Sequence, residues 1–174
     1  MGKIKWLKLI GAILLCELAG IVGSIATAPN IPTWYAALQK PFFAPPNWLF
    51  APVWTTLFLL MGISLYLVLE KNAKKSFGAR KAERKKVESF EWKKKLGLEL
   101  FCVQLLLNIQ WSFLFFGLRN PLAGFVEIIL MWIFILATII QFNKISRGAA
   151  LLLVPYIVWV TIASALNFGV WVLN

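Results

Sequence analysis

Residues 34–58, WYAALQKPFFAPPNWLFAPVWTTLF, decide how this chain folds. The stretch holds four prolines, many aromatic side chains and one formal charge, at Lys40. Each proline lacks a backbone donor and disfavours the α conformation in the residue before it, so the Lys-Pro pair at 40–41 and the Pro-Pro pair at 45–46 cannot lie inside a regular helix. The chain then continues without a break into an apolar run, 48–69, that is long enough to cross a bilayer. The stretch therefore predicts a rigid aromatic cap that leads into a membrane helix.

The composition indicates an integral membrane protein. Of the 174 residues, 60% are hydrophobic and only 14% are charged, with a mean hydropathy of +0.78. Ordinary globular domains have about 25% charged residues. The two cysteines, Cys16 and Cys102, lie in apolar runs, and the sequence has neither histidine nor aspartate. These features argue against a disulfide scaffold, a zinc site built from Cys and His, and a histidine general base.

Apolar runs predict five membrane helices in a single domain that covers residues 1–174. The expected helices are about 6–28, 48–69, 95–117, 121–142 and 149–173. The first run follows a lysine-rich head, but Glu17 interrupts it and it is too long for the apolar part of a signal peptide. No internal repeat is evident, so an inverted-repeat transporter is not indicated. The predicted fold class is an all-α integral membrane protein with a five-transmembrane-helix bundle.

The basic residues predict the orientation of these helices. With five spans, sixteen of the 18 Lys and Arg residues fall on one side, in the N-terminal segment, the 70–95 loop and the 143–148 turn. Only Lys40 and Arg119 fall on the other side. Short loops rich in Lys and Arg stay in the cytoplasm. We therefore expect a cytoplasmic N-terminus, with the cap and the C-terminus on the exterior.

Residues 79–95, ARKAERKKVESFEWKKK, are the most basic part of the chain. We interpret them as a solvated loop that sets topology, with an amphipathic helical stem leading into the third helix. Each basic residue near the surface adds an attraction of about 1 kcal/mol to anionic lipid. Nucleic-acid binding through this loop is the less favoured interpretation.

Polar side chains within the apolar runs indicate which faces point into the bundle. Two such faces have three- and four-residue spacings: Gln104, Asn108, Trp111, Ser112 and Phe115 on the third helix, and Tyr156, Trp159, Ala163 and Asn167 on the fifth. Polar groups that faced lipid would be costly, so both faces should point inward. The alternative to a ligand role is hydrogen bonding between helices, and for Gln104 and Asn167 we favour that alternative.

The first helix carries small residues at regular spacing. They form two rows: Ala12, Cys16, Gly20 and Ser24, and Ala19, Gly23 and Thr27. Such rows permit close approach of another helix, either within the chain or in a homodimer, and both interpretations stay open. Glu17 and Glu127 are acids deep in apolar runs without a deep Lys or Arg to pair with. We expect each to be protonated or to lie near an interface.

Motifs in the cap and in the second, third and fifth predicted helices resemble those of one family. They are Trp34-Tyr35, Leu38, Lys40-Pro41, Pro45-Pro46, Trp48, Pro52-Val53-Trp54 and Leu57, then Asn108, Trp111 and Phe115-Phe116-Gly117, then Pro155-Tyr156, Trp159, Ala163, Leu166-Asn167 and Trp171. Together they resemble the signature of the TspO/MBR family, the translocator proteins. Three features depart from it: Phe43 and Phe58 stand where many relatives have Trp and Tyr, and the basic loop is longer than usual.

The resemblance implies a membrane receptor or carrier, usually a homodimer, that binds porphyrin-like tetrapyrroles between the helices beneath the cap. Carried over to this chain, the ligand-binding residues would be Trp34, Tyr35, Trp54, Phe58, Asn108, Trp111, Trp159, Ala163 and Leu166. Porphyrin would be a ligand rather than a required cofactor, and no metal site is expected. The expected partners are that ligand, membrane lipid and a second copy of the chain, without nucleic acid. Rigid aromatic walls with a few polar groups suit a flat macrocycle.

Two other functions stay open. Light-dependent degradation of porphyrin would make the protein an enzyme, with Trp54 and Trp159 on facing walls as the candidate catalytic residues. A membrane scaffold that acts through the basic loop is the second alternative. Sterols are further ligands of animal members of the family, but the matching motif here, residues 60–71 around Tyr66, is a weak one.

Overall fold

The computed structural model describes residues 5–72 and 81–174, which are mostly helical and contain no β-strand. Six helices follow one another: α1 (Trp6–Thr27), α2 (Phe50–Leu69), α3 (Lys81–Ser112), α4 (Pro121–Asn143), α5 (Arg147–Leu152) and α6 (Val154–Leu173). Because α5 and α6 run on as one rod, they make five segments that are long and apolar enough to cross a membrane. The predicted fold class, a five-helix transmembrane bundle, is confirmed.

The five segments form a closed ring. Helix α1 packs between α2 and α3, α4 packs between α3 and α6, and α5 closes the ring against α2. Helices α1 and α2 approach each other closely at Gly62, where an added Cβ would lie 2.5 Å from the Cα of Ile13. At the closure, the Ser64 hydroxyl donates to the carbonyl of Ala149 at 2.8 Å. A side chain at position 62 would therefore push apart α1 and α2, which enclose part of the interior.

The small residues of α1 pack largely within the chain. Ala12, Cys16, Ala19 and Gly23 are buried against the other helices. The opposite face of α1 carries exposed Leu and Ile side chains. Packing within the chain is thus confirmed for these four members of the two rows, while a homodimer seam stays a prediction.

Helix α3 begins earlier than the apolar pattern indicates. It starts at Lys81 rather than near residue 95, because the amphipathic stem continues the same helix. The Lys94 ammonium joins this stem to the end of α2 by donating to the carbonyls of Leu69 at 2.9 Å and Lys71 at 2.7 Å. Residues 73–80 of the predicted basic loop lie outside the described residues.

The last membrane segment is divided in two. The sequence predicts one helix over 149–173, whereas α5 starts at Arg147 and a break at Leu153 separates it from α6. Pro155 explains the break, since proline has no N–H to bond the carbonyl four residues earlier. The rod resumes at once, with the Ile157 N–H bonded to the Leu153 carbonyl at 3.2 Å.

Residues 29–47, which we call the lid, cross one end of the bundle in short turns. One is a π-helical turn, Ile31–Tyr35, in which the Tyr35 N–H bonds the Asn30 carbonyl at 2.8 Å. A second π-helical turn, Phe113–Gly117, ends α3 beneath the lid. Such turns occur often at functional sites. The sequence predicted that the lid is not a long helix, but it did not predict either π-helical turn.

Ion pairs hold the helices together at the other end of the bundle. Lys5 and Lys8 each pair with Glu70 at 3.0 Å, which joins the start of α1 to the end of α2. Hydrogen bonds from these lysines hold the pKa of Glu70 below its usual range. The backbone N–H of Lys5 also donates to the Tyr66 hydroxyl at 3.1 Å. Tyr66 is therefore turned toward α1, and residues 60–71 do not present their tyrosine to lipid.

Candidate ligand-binding site

A cavity of about 320 Å³ lies between α1, α2 and α3 beneath the lid. Its aromatic walls are Phe50, Trp54, Phe58, Trp111 and Phe116, and its polar lining is Ser24, Thr27, Thr55, Asn108 and Ser112. Among the described residues that line it, Glu17 is the one that carries a formal charge. Ile21 and Ser24 of α1 and Thr55 of α2 are exposed. The cavity therefore opens sideways, between α1 and α2, toward the lipid.

Trp34 and Tyr35 place the lid on the end of α3. The Trp34 ring meets Phe115 and Phe116 edge-on, with centroids 5.4 and 6.3 Å apart. Tyr35 is 1% exposed and packs against the same two phenylalanines. The Lys40 ammonium lies over the Tyr35 ring, 4.7 Å from its centroid. The lid thus covers the second π-helical turn with aromatic rings.

Two contacts fasten the lid to the bundle. The Asn174 side chain accepts from the Gln39 N–H and donates to the Gln39 carbonyl, both at 3.0 Å. At the start of the lid, the Arg119 Nε donates to the Asn30 side-chain oxygen at 3.2 Å. Arg119 has a φ of 52°, which is uncommon for a residue other than glycine. The turn between α3 and α4 thus has an unfavourable backbone conformation at the residue that forms the hydrogen bond to the lid.

Asn108 is oriented by a chain of hydrogen bonds. Its Nδ2 donates to the Tyr156 hydroxyl at 2.9 Å, and that hydroxyl donates to the Met131 sulfur at 3.6 Å. In residues 5–72 and 81–174, no group is found to donate to the side-chain oxygen of Asn108, and the residue lines the cavity. The amide therefore has a fixed orientation and a free acceptor for a ligand N–H.

Asn167 has the packing role that the sequence favoured. Its side-chain oxygen accepts from the Trp111 indole N–H at 3.1 Å, and its Nδ2 donates to the Pro121 carbonyl at 2.8 Å. These bonds join α6 to α3 and to the start of α4, and they fix one aromatic wall of the cavity. Gln104 is also buried, but neither of its amide atoms has a partner in the described part of the chain. The predicted interhelical bond is confirmed for Asn167 and not found for Gln104.

Four of the predicted ligand residues line the cavity, and the remainder lie elsewhere. Trp54, Phe58, Asn108 and Trp111 are on its walls. Ala163 and Leu166 instead line a second space of about 20 Å³, which shares the Trp54 and Trp111 walls and is roofed by Tyr35. This space is far smaller than the open cavity of about 320 Å³. The predicted set is therefore divided by a layer of aromatic rings.

Trp159 lies on a different surface from Trp54. It packs edge-on against Phe50, with centroids 6.2 Å apart. It also lines an apolar groove of about 510 Å³ between α2 and α6, together with Trp48 and Pro52. The two tryptophans proposed as facing walls thus do not face each other across the open cavity.

Sequence reasoning missed the α1 wall of the cavity. Glu17, Gly20, Ser24 and Thr27 recur at spacings of three and four and line it together. That spacing was visible in the sequence, but we interpreted the small residues only as a packing surface. Phe50 and Thr55 on α2 were missed because nothing in their local pattern distinguishes a cavity wall from a lipid-facing side.

Burial affects the chemistry of the lid tyrosine. It raises the pKa of Tyr35 to about 12, so the phenol stays protonated and remains a donor. Within the described ranges its hydroxyl is buried without a partner. The same ranges contain no group of three or more Cys, Glu or other metal-binding side chains. The arrangement is suited to hold an apolar, flat molecule by stacking and hydrogen bonds.

Comparison with known proteins gives a consistent picture. The model of the TspO/MBR family matches residues 12–172. The chain is 44% identical over 168 residues to the tryptophan-rich protein TspO of Archaeoglobus fulgidus, covering 97% of both chains. It is 34% identical over 166 residues to the translocator protein of Bos taurus, covering 95% of this chain and 89% of that one. It is 28% identical over 172 residues to the tryptophan-rich sensory protein of Cereibacter sphaeroides, covering 99% and 94%.

Proposed function

The chain belongs to the TspO/MBR family, and from that membership we propose that it is a membrane receptor or carrier for porphyrin-like tetrapyrroles. The ligand enters from the lipid between α1 and α2 and occupies the cavity beneath the lid. Trp54 and Trp111 stack on the macrocycle, and Asn108 accepts a hydrogen bond from one of its N–H groups. Ala163 and Leu166 come into contact when the aromatic layer shifts to admit the ligand.

One observation carries this proposal, the rigid aromatic cavity with a single oriented amide. The rings of Trp54 and Trp111 are tilted by 31° with centroids 6.4 Å apart, and Trp54 stacks on Phe58 at 5.7 Å. Asn167 and Tyr156 hold Trp111 and Asn108 from the far side. Pockets that bind small molecules are mostly apolar, largely preformed and given orientation by a few polar groups. The names of the relatives, a translocator protein and a sensory protein, support a role in carriage or sensing.

A titration of the purified protein with tetrapyrroles and sterols tests the proposal. Tetrapyrroles should quench tryptophan fluorescence with saturable, stoichiometric binding and without forming a product. Sterols should bind more weakly, because the residue 60–71 motif has its tyrosine turned inward. Saturable sterol binding without tetrapyrrole binding would contradict the proposal.

Photochemical degradation is the second candidate function, and one observation favours it. Trp54 lies on the cavity wall, and its indole is readily oxidised. If the protein degrades bound porphyrin, Trp54→Phe should slow the light-driven loss of porphyrin sharply. Trp159→Phe is the matched control, because Trp159 lies in the outer groove. Equal bleaching in the wild type and in Trp54→Phe, at matched occupancy and illumination, would leave only binding.

We also propose that the protein is a homodimer, as is usual in the family. The exposed leucine and isoleucine side chains of α1 and α4 offer lipid-facing surfaces on which a second copy can pack. Light scattering of the purified protein in detergent should give a protein mass of two chains. A mass of one chain at all concentrations would exclude the dimer.

A further inference from the structure

Glu17 is a carboxyl group in the middle of a membrane helix that the tetrapyrrole proposal does not use. It lies near the midpoint of the 22-residue helix α1 and lines the cavity where α1 faces α2. In the described part of the chain, no Lys or Arg comes within 4 Å of it; the ion pairs there use Glu70 and Glu99. Glu17 therefore has no counter-ion among the described residues.

Such a group is costly in the bilayer. Ionisable residues within membrane helices are rare, and they are usually functional and paired. The nearest basic residue on the same helix, Lys8, lies about 13 Å away along the helix axis, since each residue rises about 1.5 Å. Lys8 is already bound to Glu70 at 3.0 Å. An ionised Glu17 would therefore need a counter-ion from outside the described residues.

The cavity around Glu17 favours positive charge in two further ways. Trp54, Phe58 and Trp111 line it, and the faces of aromatic rings attract cations. The hydroxyl groups at the mouth of the cavity already donate hydrogen bonds to backbone carbonyls. Ser24 donates to the Ile21 carbonyl at 2.7 Å, and Thr55 donates to the Ala51 carbonyl at 2.9 Å. Their oxygens are left as acceptors, so the mouth is suited to a ligand that brings donors.

We propose that this cavity binds planar aromatic cations, such as protonated aromatic amines, with Glu17 as their counter-ion. The aromatic ring stacks between the cavity walls, and the charged nitrogen lies against the Glu17 carboxylate. This is a second ligand class at the same cavity. It does not depend on tetrapyrrole binding.

Two probes of similar shape test the proposal. At neutral pH, 9-aminoacridine is a cation and acridine is neutral, so their difference in affinity reports the charge. In a nonionic detergent, the wild type should bind 9-aminoacridine about tenfold more tightly than acridine, a difference of about 1.4 kcal/mol. Glu17→Gln should abolish this preference, whereas Glu17→Asp should retain most of it.

Glu99→Gln is the matched control. It removes one negative charge from α3 outside the cavity, where Glu99 pairs with Lys95 at 3.8 Å. It should leave the preference for 9-aminoacridine unchanged.

An equal preference for 9-aminoacridine in the wild type and Glu17→Gln would overturn the proposal, as would failure of the wild type to bind 9-aminoacridine. If Glu17→Gln fails to fold, comparing Glu17→Asp with Glu99→Gln still tests the proposal. A preference for 9-aminoacridine over acridine that is lower in Glu99→Gln than in Glu17→Asp would contradict it. Tetrapyrrole titration of the same variants is read separately, so the two proposals can fail independently.

Discussion

Asn108 and Asn167 both have buried side-chain amides, but their hydrogen bonds indicate different roles. Asn167 uses both of its side-chain groups within the protein, on Trp111 and on the Pro121 carbonyl. Among the described residues, Asn108 bonds through its Nδ2 to Tyr156, its oxygen has no donor, and the residue lines the cavity. One asparagine is therefore committed to packing, whereas the other can also bind a ligand.

Replacing Asn108 should reduce ligand affinity more than stability. Asn108→Leu keeps the size of the side chain, and loss of its bond to Tyr156 should cost about 0.6 kcal/mol, the average for such bonds in membrane proteins. Loss of the acceptor should weaken tetrapyrrole binding about tenfold. Fluorescence titration measures the affinity, and thermal unfolding in detergent measures the stability.

Asn167→Leu is the comparison for that experiment. It removes two interhelical bonds and frees the Trp111 ring, so we expect a lower melting temperature than for Asn108→Leu. If Asn108→Leu lowers the melting temperature while affinity holds, Asn108 is only a packing residue.

Among the elements, the lid depends on the side chain of Asn174. Its two bonds to Gln39 fasten the lid to the end of α6, and each such bond contributes about 0.5–1.5 kcal/mol. In Asn174→Ala, amide hydrogen exchange in residues 34–41 should therefore accelerate about tenfold or more. Asn143→Ala removes an exposed asparagine at the end of α4 and should leave the lid amides unchanged. Equal protection in both variants would show that the lid is held by its aromatic contacts alone.

At the opposite end, the ion pairs that join α1 and α2 should make stability depend on pH. The pKa of Glu70 is lowered by its hydrogen bonds to Lys5 and Lys8. The folded state therefore holds a proton on Glu70 less tightly than the unfolded state does. The stabilisation is present above the usual glutamate pKa, about 4.3, and is lost as the pH falls through the lowered value.

Melting temperatures measured from neutral pH down to values below the usual glutamate pKa test this predicted loss of stabilisation. The difference between the wild type and Glu70→Gln should shrink as the pH falls. A difference that is constant, or that grows on acidification, would show that the pairs with Lys5 and Lys8 do not stabilise the fold.

The helices could be predicted from the sequence better than their interruptions. Twenty apolar residues must form a helix in lipid, because the backbone has no other partner there. The π-helical turn at Phe113–Gly117 has no comparable signal, since its hydrogen bonds depend on packing under the lid. The aromatic layer of Trp54 and Trp111, which lies between the open cavity and Ala163, is a matter of side-chain packing as well. The sequence predicted four residues of the cavity, whereas its α1 wall became apparent only from the packing of the bundle.

For the whole molecule, the distribution of basic residues predicts an orientation that labelling can test. Cysteines introduced singly at Asn47 in the lid and Ser89 in the α3 stem, with Cys16 and Cys102 replaced, should be accessible from opposite sides of intact cells. Both positions are exposed. We expect an impermeant reagent to label position 47 and not position 89. Labelling of both from outside would contradict the five-span topology.

If a tetrapyrrole occupies the cavity between α1, α2 and α3, blocking the cavity mouth should prevent its binding. Ser24 lies at the mouth, and Ile25, 66% exposed, lies on the lipid-facing side of α1. Ser24→Phe should fill the opening and Ile25→Phe should not, while both retain the fold. Fluorescence titration with one tetrapyrrole should show binding that is lost in Ser24→Phe and unchanged in Ile25→Phe. Equal affinity in the two variants would place the ligand elsewhere and contradict the account.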